Sequence, residues 1–376
     1  IYICHSTRRP SMTKAAELAK MGEVLTNSQI GGRRNMVING AMNIAQRATS
    51  ATGVGGTNEE YPTIDRFNFT TTSAGRFTMT QTADGPTGFA NCMKLDCTTA
   101  DTSISASEAL ILQTKFEGQD VQQLMYGSSS AQPVTVSFYV KGNANATYTL
   151  EWRNEEDGRN IGKTFNVTTD WTRVIITFTG DTGGSAVDDD NTHAFTLGIW
   201  LHGGTTFSGG TFAENTWHAT NNLRIGDGQT SFFDSTDRTF FITGVQLEVG
   251  SVATPFEHRS FGEELLLCQR YFETFGGTAY QPVGMAIGTS GTRDRVNVPF
   301  KVQKRAAPTL TVSTDLIISY RVGYDQNITG TADLNISING AHFAVDHADV
   351  GAAARPHFFN SDASSSFGTL TADAEL

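Results

Sequence analysis

Strand periodicity is the strongest constraint on this chain. Val134, Val136, Phe138 and Val140 alternate with Thr135, Ser137, Tyr139 and Lys141, and Tyr148, Leu150 and Trp152 alternate with Thr149 and Glu151. A period of two buries one face of a pleated strand and wets the other. The stretch GNANA between these runs reads as a turn, so the two are expected to form a hairpin. Phe67 and Phe69 are likewise expected to pair with Phe77 and Met79 across TTSAG. Further strands fall at Thr172 to Phe178, Phe195 to Leu201 and Phe241 to Val249. Eight or more strands with no helices between them require sheet packed on sheet, so the expected fold is an all-β jelly-roll sandwich or a close relative. A parallel α/β architecture is excluded because its helical crossovers are missing.

The period changes once. Val245, Leu247 and Val249 end a strand, Pro255 stops it, and Ser260 with Glu263 forms a capping box that starts a helix. Phe261, Leu265, Cys268 and Phe272 make one apolar stripe, which Leu266, Leu267 and Tyr271 widen. So short a helix, apolar on most sides, wants neighbours on several faces. It reads as a joint that also packs on its own copies, with Phe261, Leu265, Leu266, Cys268 and Phe272 as the oligomer interface. Beyond it, Val296, Val298, Phe300, Leu310, Val312, Leu316, Ile318 and Ile336 mark short strands, with a turn at Asn339 and Gly340. The expected division is an N-terminal extension and helix (1–34), a sandwich (35–258), a linking helix (259–275) and a smaller C-terminal β knob (276–376). The edges of the knob are expected to be covered by trimerisation. Ala15, Leu18 and Leu25 lie at helical spacing in the first segment and are the candidates for attachment to another protein.

Composition narrows the function. A net charge of −11 opposes general binding to a nucleic-acid backbone, which is driven by Lys and Arg neutralising phosphates. Cys4, Cys92, Cys97 and Cys268 are scattered and lack metal or disulfide-framework spacing, so free thiols and assembly in a reducing cytoplasm are expected. No apolar run approaches the length of a membrane span, so no membrane insertion is expected.

Enzyme signatures are missing. GRNIGKT, at Gly158 to Thr164, has three residues between its glycines where a phosphate-binding loop needs four, and it lies between strands, where it reads as a hairpin turn. No resident cofactor is expected. Asp188, Asp189 and Asp190 could supply part of a calcium site, and solvated loop charge is the alternative. Trp200 and His202 share the face of their strand opposite the aliphatics, and Trp217 and His218 follow in AENTWHATNN. An aromatic face beside polar groups suits a sugar ring, whose C–H face is apolar and whose hydroxyls need partners. Ordinary core packing is the competing account. Tyr320, Tyr324 and His357 complete the set of candidate glycan-binding residues.

Four segments together resemble a family of bacteriophage virion proteins of the tail-fibre or host-recognition type found in marine phages. They are GRRNMVINGAMNIAQR with YPTIDRF, KFEGQDVQQLMYGSSSAQPVTVSFYVKG, VQLEVGSVATPFEHRSFGEELLLCQRYFE, and the ending TADAEL. The resemblance implies a virion-located, non-enzymatic, homotrimeric fibre or spike subunit made in the host cytoplasm, with a jelly roll like that of carbohydrate-binding modules. Its expected partners are its own copies, other virion proteins held through the N-terminal segment, and a host-surface glycan or receptor. A capsid-decorating or vertex fibre is the alternative, and a glycan-depolymerising tailspike a third.

Overall fold

The structure is a computed structural model that describes residues 34–319, 325–348, 355–362 and 367–376. Strands are numbered in chain order. Two six-stranded sheets form the large body. The first runs β1 (Ser50–Val54), β4 (Arg76–Thr82), β5 (Cys92–Thr99), β12 (Thr239–Val249), β7 (Val134–Gly142), β10 (Thr172–Phe178). The second runs β2 (Thr57–Glu60), β3 (Asn68–Thr72), β6 (Ala109–Glu117), β11 (His193–Gly203), β8 (Ala146–Asn154), β9 (Asn160–Val167). Their inner faces enclose one core that includes Phe69, Phe77, Phe138, Trp152, Phe195 and Leu247, all fully buried. Each such side chain contributes roughly 1.5–3 kcal/mol by leaving water. The all-β sandwich expected from periodicity is what the chain forms.

Two expected hairpins are not hairpins. β3 pairs with β2 and β6, whereas β4 pairs with β1 and β5. TTSAG therefore carries the chain from one sheet to the other. The rings of Phe69 and Phe77 do meet, at 4.9 Å, but across the core and not along a ladder. GNANA makes the same crossing, since β7 pairs with β10 and β12 while β8 pairs with β9 and β11. GRNIGKT lies in the β8–β9 hairpin.

The smaller C-terminal part has two pieces. β13 (Phe272–Gly276), β21 (Thr369–Asp373) and β16 (Thr309–Val312) form a three-stranded sheet. β14 (Pro282–Gly288), β15 (Arg293–Pro299), β19 (Gly340–His347), β18 (Asp325–Ser337), β17 (Leu316–Ser319) and β20 (Pro356–Ser361) close into a barrel. A closed barrel has no edge strand. The expectation that trimerisation must cover the knob's edges is corrected for the barrel, while β13 and β16 remain the edges of the three-stranded sheet.

Helices are few. A single turn, α1 (Thr205–Ser208), follows β11, and α2 (Phe261–Gln269) is the linking helix. Ser260 caps α2 as its sequence requires, its Oγ accepting from Glu263 N at 3.3 Å. The buried face of α2 carries Glu264, Cys268 and Gln269. Phe261 and Leu266 remain 64% and 51% exposed. Cys268 and Phe272 are buried within the single chain, so their assignment to an intermolecular surface is corrected: the chain's own neighbours occupy that space. No helix among the described residues is long and apolar enough to cross a membrane. Cys92, Cys97 and Cys268 are free and buried, and burial pushes the Cys92 and Cys97 thiols up to about 12 and about 11.

The four segments quoted above meet in space between the two bodies. Glu264 of α2 accepts the backbone N–H of Asn39 at 2.6 Å. Arg270 makes a two-pronged pair with Glu117, at 2.8 and 2.6 Å. Arg66 is buried against Glu375, donates to Lys115 O at 2.7 Å, and stacks 3.4 Å from the Tyr271 ring centre. Leu376 packs on the Ile38, Ile44, Cys268 and Tyr271 cluster.

Candidate functional site

The outer face of the first sheet carries a cluster of partly open aromatic rings. Tyr139 points outward from β7. Phe89, from the β4–β5 connection, sits 5.3 Å from Tyr139, 5.0 Å from Phe256 and 5.2 Å from His258, centre to centre. Phe256 and His258 are 4.9 Å apart. Phe89, Tyr139 and Phe256 are half-buried and His258 is exposed. The seat for this quartet is a bulge in β12 between Thr243 and Gln246. Gly244 there has φ of +64°, and a Cβ on it would lie 2.7 Å from the Phe89 ring. A bulge of this kind re-aims side chains locally, and only glycine lets the rings lie against the backbone here.

Arg173 lies 5.9 Å from the Tyr139 ring centre, and buried Thr243 and Gln246 brace the backbone beneath the rings. Arg173, opposite Tyr139 on β10, donates to Ser137 Oγ at 3.1 Å and also to Thr254 O. Thr243 Oγ1 donates to Asn91 O at 2.8 Å. Gln246 Oε1 accepts from Glu257 N at 2.8 Å. Apolar ring faces beside a polar margin are the arrangement a sugar ring needs. Sequence reading missed this group because its members come from three separated segments. The one local signal was the outward parity of Tyr139.

The residues singled out from sequence are placed differently. Trp200 is fully buried. Its ring lies 4.9 Å from Phe207 and under Arg224 at 4.8 Å, and Nε1 donates to Glu151 at 3.1 Å. The assignment of Trp200 as an open stacking face is therefore corrected: α1 and the following loop fold over that side of β11. Trp217 packs against the core, 5.7 Å from Tyr126, and donates from Nε1 to Thr179 O at 2.8 Å. His218 pairs through its backbone with Asn160 and is half-buried. His357 is inside the barrel, with Nδ1 2.5 Å from Asp294 Oδ2, and is corrected as a surface contact. Tyr320, Tyr324, Ala15, Leu18 and Leu25 lie outside the described residues.

The acidic run fares similarly. Asp190 Oδ1 accepts from Thr192 N and Oγ1 at 2.8 and 2.6 Å. Among the described residues, the one group of three or more acidic, histidine or cysteine side chains whose ligand atoms converge within 4.8 Å is Asp101, Glu108 and His202. Asp188, Asp189 and Asp190 are not gathered in that way. A cleft of about 230 Å³ opens beside the convergent group, lined by Ile104, Gly203 and the loop from Ile225 to Ser231. Asp101 is held below the usual carboxylate range, since bonds from Ser73 and Ala74 outweigh the opposing effect of burial.

Histidines in the two bodies shift in opposite directions. Burial, helped by Lys115, pushes His193 of the sandwich down to about 4. In the barrel, burial pushes His347 down, but its bond to Asp294 at 3.1 Å outweighs this and the pKa is raised. A lowered histidine contributes stability that is complete above its unfolded value near 6.5 and is lost as pH falls toward 4. A raised one contributes stability that is complete below that value and is lost as pH rises through its folded value. Between pH 7.5 and 5 His193 is therefore expected to cost the sandwich about 1 kcal/mol once its partial solvent contact is discounted, read as the parent's loss relative to His193→Gln because burial also raises Asp65 to about 6 and acts in the opposite direction, while the barrel gains. All four tryptophans lie in the sandwich, so tryptophan emission reads its midpoint. Amide exchange at Val296 and Val345, corrected for intrinsic rate, reads the barrel. Parallel shifts of both signals would contradict the assignment.

No protein-family model matches this sequence, and no curated protein matches it. Solved structures show loose similarity over little more than half of the chain. A CBM4 structure is 12% identical over 56% of this chain and 97% of its own, with a TM-score of 0.31. The family 11 carbohydrate-binding module of a Clostridium thermocellum cellulosomal cellulase is 11% identical over 55% of this chain and 100% of its own, with a TM-score of 0.26. The enzymatically active domain of tailspike protein 4 of bacteriophage CBA120 is 12% identical over 57% of this chain but only 21% of its own, with a TM-score of 0.30.

Proposed function

We propose that the chain is a non-enzymatic glycan-binding subunit of a phage virion, a trimeric tail fibre or spike that holds host-surface sugar on the outer face of its first sheet. The observation that carries the binding site is the quartet Phe89, Tyr139, Phe256 and His258, partly open to solvent, with half-buried Arg173 beside Tyr139. The virion setting rests on the resemblance of the four segments. Trimerisation is supported by Phe261 and Leu266, which α2 leaves exposed. Several weak sugar contacts on one particle combine through effective concentration, so valency sets the overall strength.

A glycan array probed with the full chain tests this reading. Phe89→Ala and His258→Ala are expected to lose the array signal while keeping the parent's circular dichroism. Leu266→Asp is expected to keep the sugar preference but bind more weakly, as light scattering shows fewer chains per particle. Array signal unchanged in Phe89→Ala would remove the site. Unchanged particle mass in Leu266→Asp would remove α2 from the interface. Images of whole particles separate a tail from a capsid position, and fragment analysis after incubation with host polysaccharide tests the depolymerising alternative.

A further inference from the structure

At one end of the sandwich, three connections bring together groups that neither the sugar face nor the core uses. Asp101 follows β5, Glu108 stands directly before β6, and His202 lies near the end of β11. His202 is fully buried, Asp101 is 7% exposed, and the Glu108 side chain is 15% exposed. His202 Nε2 is 3.3 Å from Glu108 Oε2. One oxygen of each carboxylate and one imidazole nitrogen lie within 4.8 Å of one another.

Charge makes this cluster unusual. Neither carboxylate pairs with a Lys or Arg among the described residues, and the one ion-pair partner of Glu108 is His202 itself. With a neutral imidazole the group carries two negative charges, and with a protonated one it still carries one. Charge largely withdrawn from water is costly unless it is paired or coordinates a metal. Elsewhere in this chain buried carboxylates meet a cation, as Glu117 meets Arg270 and Glu273 meets Lys304. Here no Lys or Arg among the described residues supplies the cation.

The spacing of the donor atoms is compatible with a ligand set. Bonds of about 2.0–2.2 Å to nitrogen and oxygen in a tetrahedron place neighbouring donor atoms about 3.4 Å apart, close to the 3.3 Å between Nε2 and Oε2. The other imidazole nitrogen, Nδ1, is 2.7 Å from Ser231 Oγ, which also accepts from Phe233 N at 3.0 Å. Ser231 Oγ can therefore accept a hydrogen bond from Nδ1–H and leave the Nε2 lone pair facing the carboxylates, the outer-partner arrangement of metal-bound histidines. Ser73 Oγ and Ala74 N fix Asp101 in the same way, at 2.7 and 3.0 Å from Oδ2. The cleft beside them is lined by Gly203 and Ser231, respectively next to His202 in the chain and bonded to its Nδ1.

We propose that Asp101, Glu108 and His202 bind one divalent ion of the zinc type, with water in the remaining position. One imidazole with two carboxylates suits zinc, whereas calcium takes oxygen ligands only and more of them. The ion would tie the β5–β6 connection to the end of β11 and to the Ser231 loop.

The test uses the full chain incubated with zinc chloride, desalted, and assayed for metal by mass spectrometry. One tightly held zinc per chain is expected above the background of surface histidines. Asp101→Asn and Glu108→Gln keep shape and remove charge, so both are expected to fold and to lose zinc affinity by more than about 100-fold, beyond the 10–100-fold that an outer partner such as Ser231 costs when replaced by Ala. Zinc, but not an equal concentration of calcium or magnesium, is expected to raise the parent's melting temperature, and this rise is expected to vanish in Glu108→Gln. Equal zinc content in the parent and in Glu108→Gln would overturn the proposal, as would an equal thermal response to calcium.

Discussion

Glu375→Gln is expected to lower the unfolding free energy of the sandwich by about 3–5 kcal/mol, the usual consequence of leaving one member of a buried ion pair alone. The Arg66 side chain is 2% exposed and that of Glu375 5%. Removing the carboxylate charge leaves a buried guanidinium without its counter-charge, facing Lys115 O, the Tyr271 ring and a neutral amide. The urea midpoint followed by tryptophan emission reads the loss. Arg66→Met with Glu375→Leu is expected to recover most of it, because an apolar pair of similar volume avoids the desolvation that the ions suffer. A single variant as stable as the parent would show that the C-terminal tail does not seal the junction. The position matters because Arg47 also reaches Asp373, at 3.1 Å, and stacks 3.6 Å from the Phe272 ring. Arg305 donates to the carbonyls of Ala374 and Glu375, both at 2.9 Å. The last residues are thus the seam between the bodies, and the bodies are expected to loosen together.

Trp200→Ala is expected to cost about 3–5 kcal/mol through the cavity it leaves, with no loss of sugar binding per folded molecule. The indole fills the space between Ala109, Ile111, Ile225 and Phe207 and orients Glu151, which Arg224 clasps at 2.7 and 2.6 Å. Trp200→Phe keeps most of the volume and is expected to lose less. An alanine variant with the parent's melting profile but no array signal would return Trp200 to the sugar contact that its sequence position first suggested, and would displace the Phe89 cluster.

The case of Trp200 shows where sequence reading reaches its limit. The alternation from Phe195 to Leu201 put Trp200 and His202 on the side of β11 away from the core. That holds for Trp200, whereas a bulge between the two residues sets the fully buried His202 opposite core-facing Leu110, its ring 5.3 Å from Phe233. The alternation carried no information about what lies over the Trp200 side, because the cover is α1 and a loop whose docking depends on Phe207, Arg224 and Ile225. The helix cap at Ser260 was legible because it is a contact between neighbours in sequence. The partner of Glu264, the backbone of Asn39, was not. The stripe Phe261, Leu265, Cys268 and Phe272 was read as one surface, yet Phe261 is open and Cys268 is closed. A helix this short between two bodies is buried by whatever flanks it, not by a single groove.

Strand positions, inward residues, the capped helix and the absence of crossover helices follow from local rules: a pleat alternates, a cap bonds within one turn, and a parallel sheet needs connections that this chain lacks. Which strand lies beside which was decided only in three dimensions, since alternation is the same whether β7 continues into its own sheet or hands the chain to the opposite one. The closure of the barrel, the seam made by Arg66 and Glu375, the aromatic quartet around Phe89 and the meeting of Asp101, Glu108 and His202 belong to the same class. Each depends on residues far apart in the chain, whose approach is fixed by the packing of whole sheets and has no trace in the spacing of any one segment.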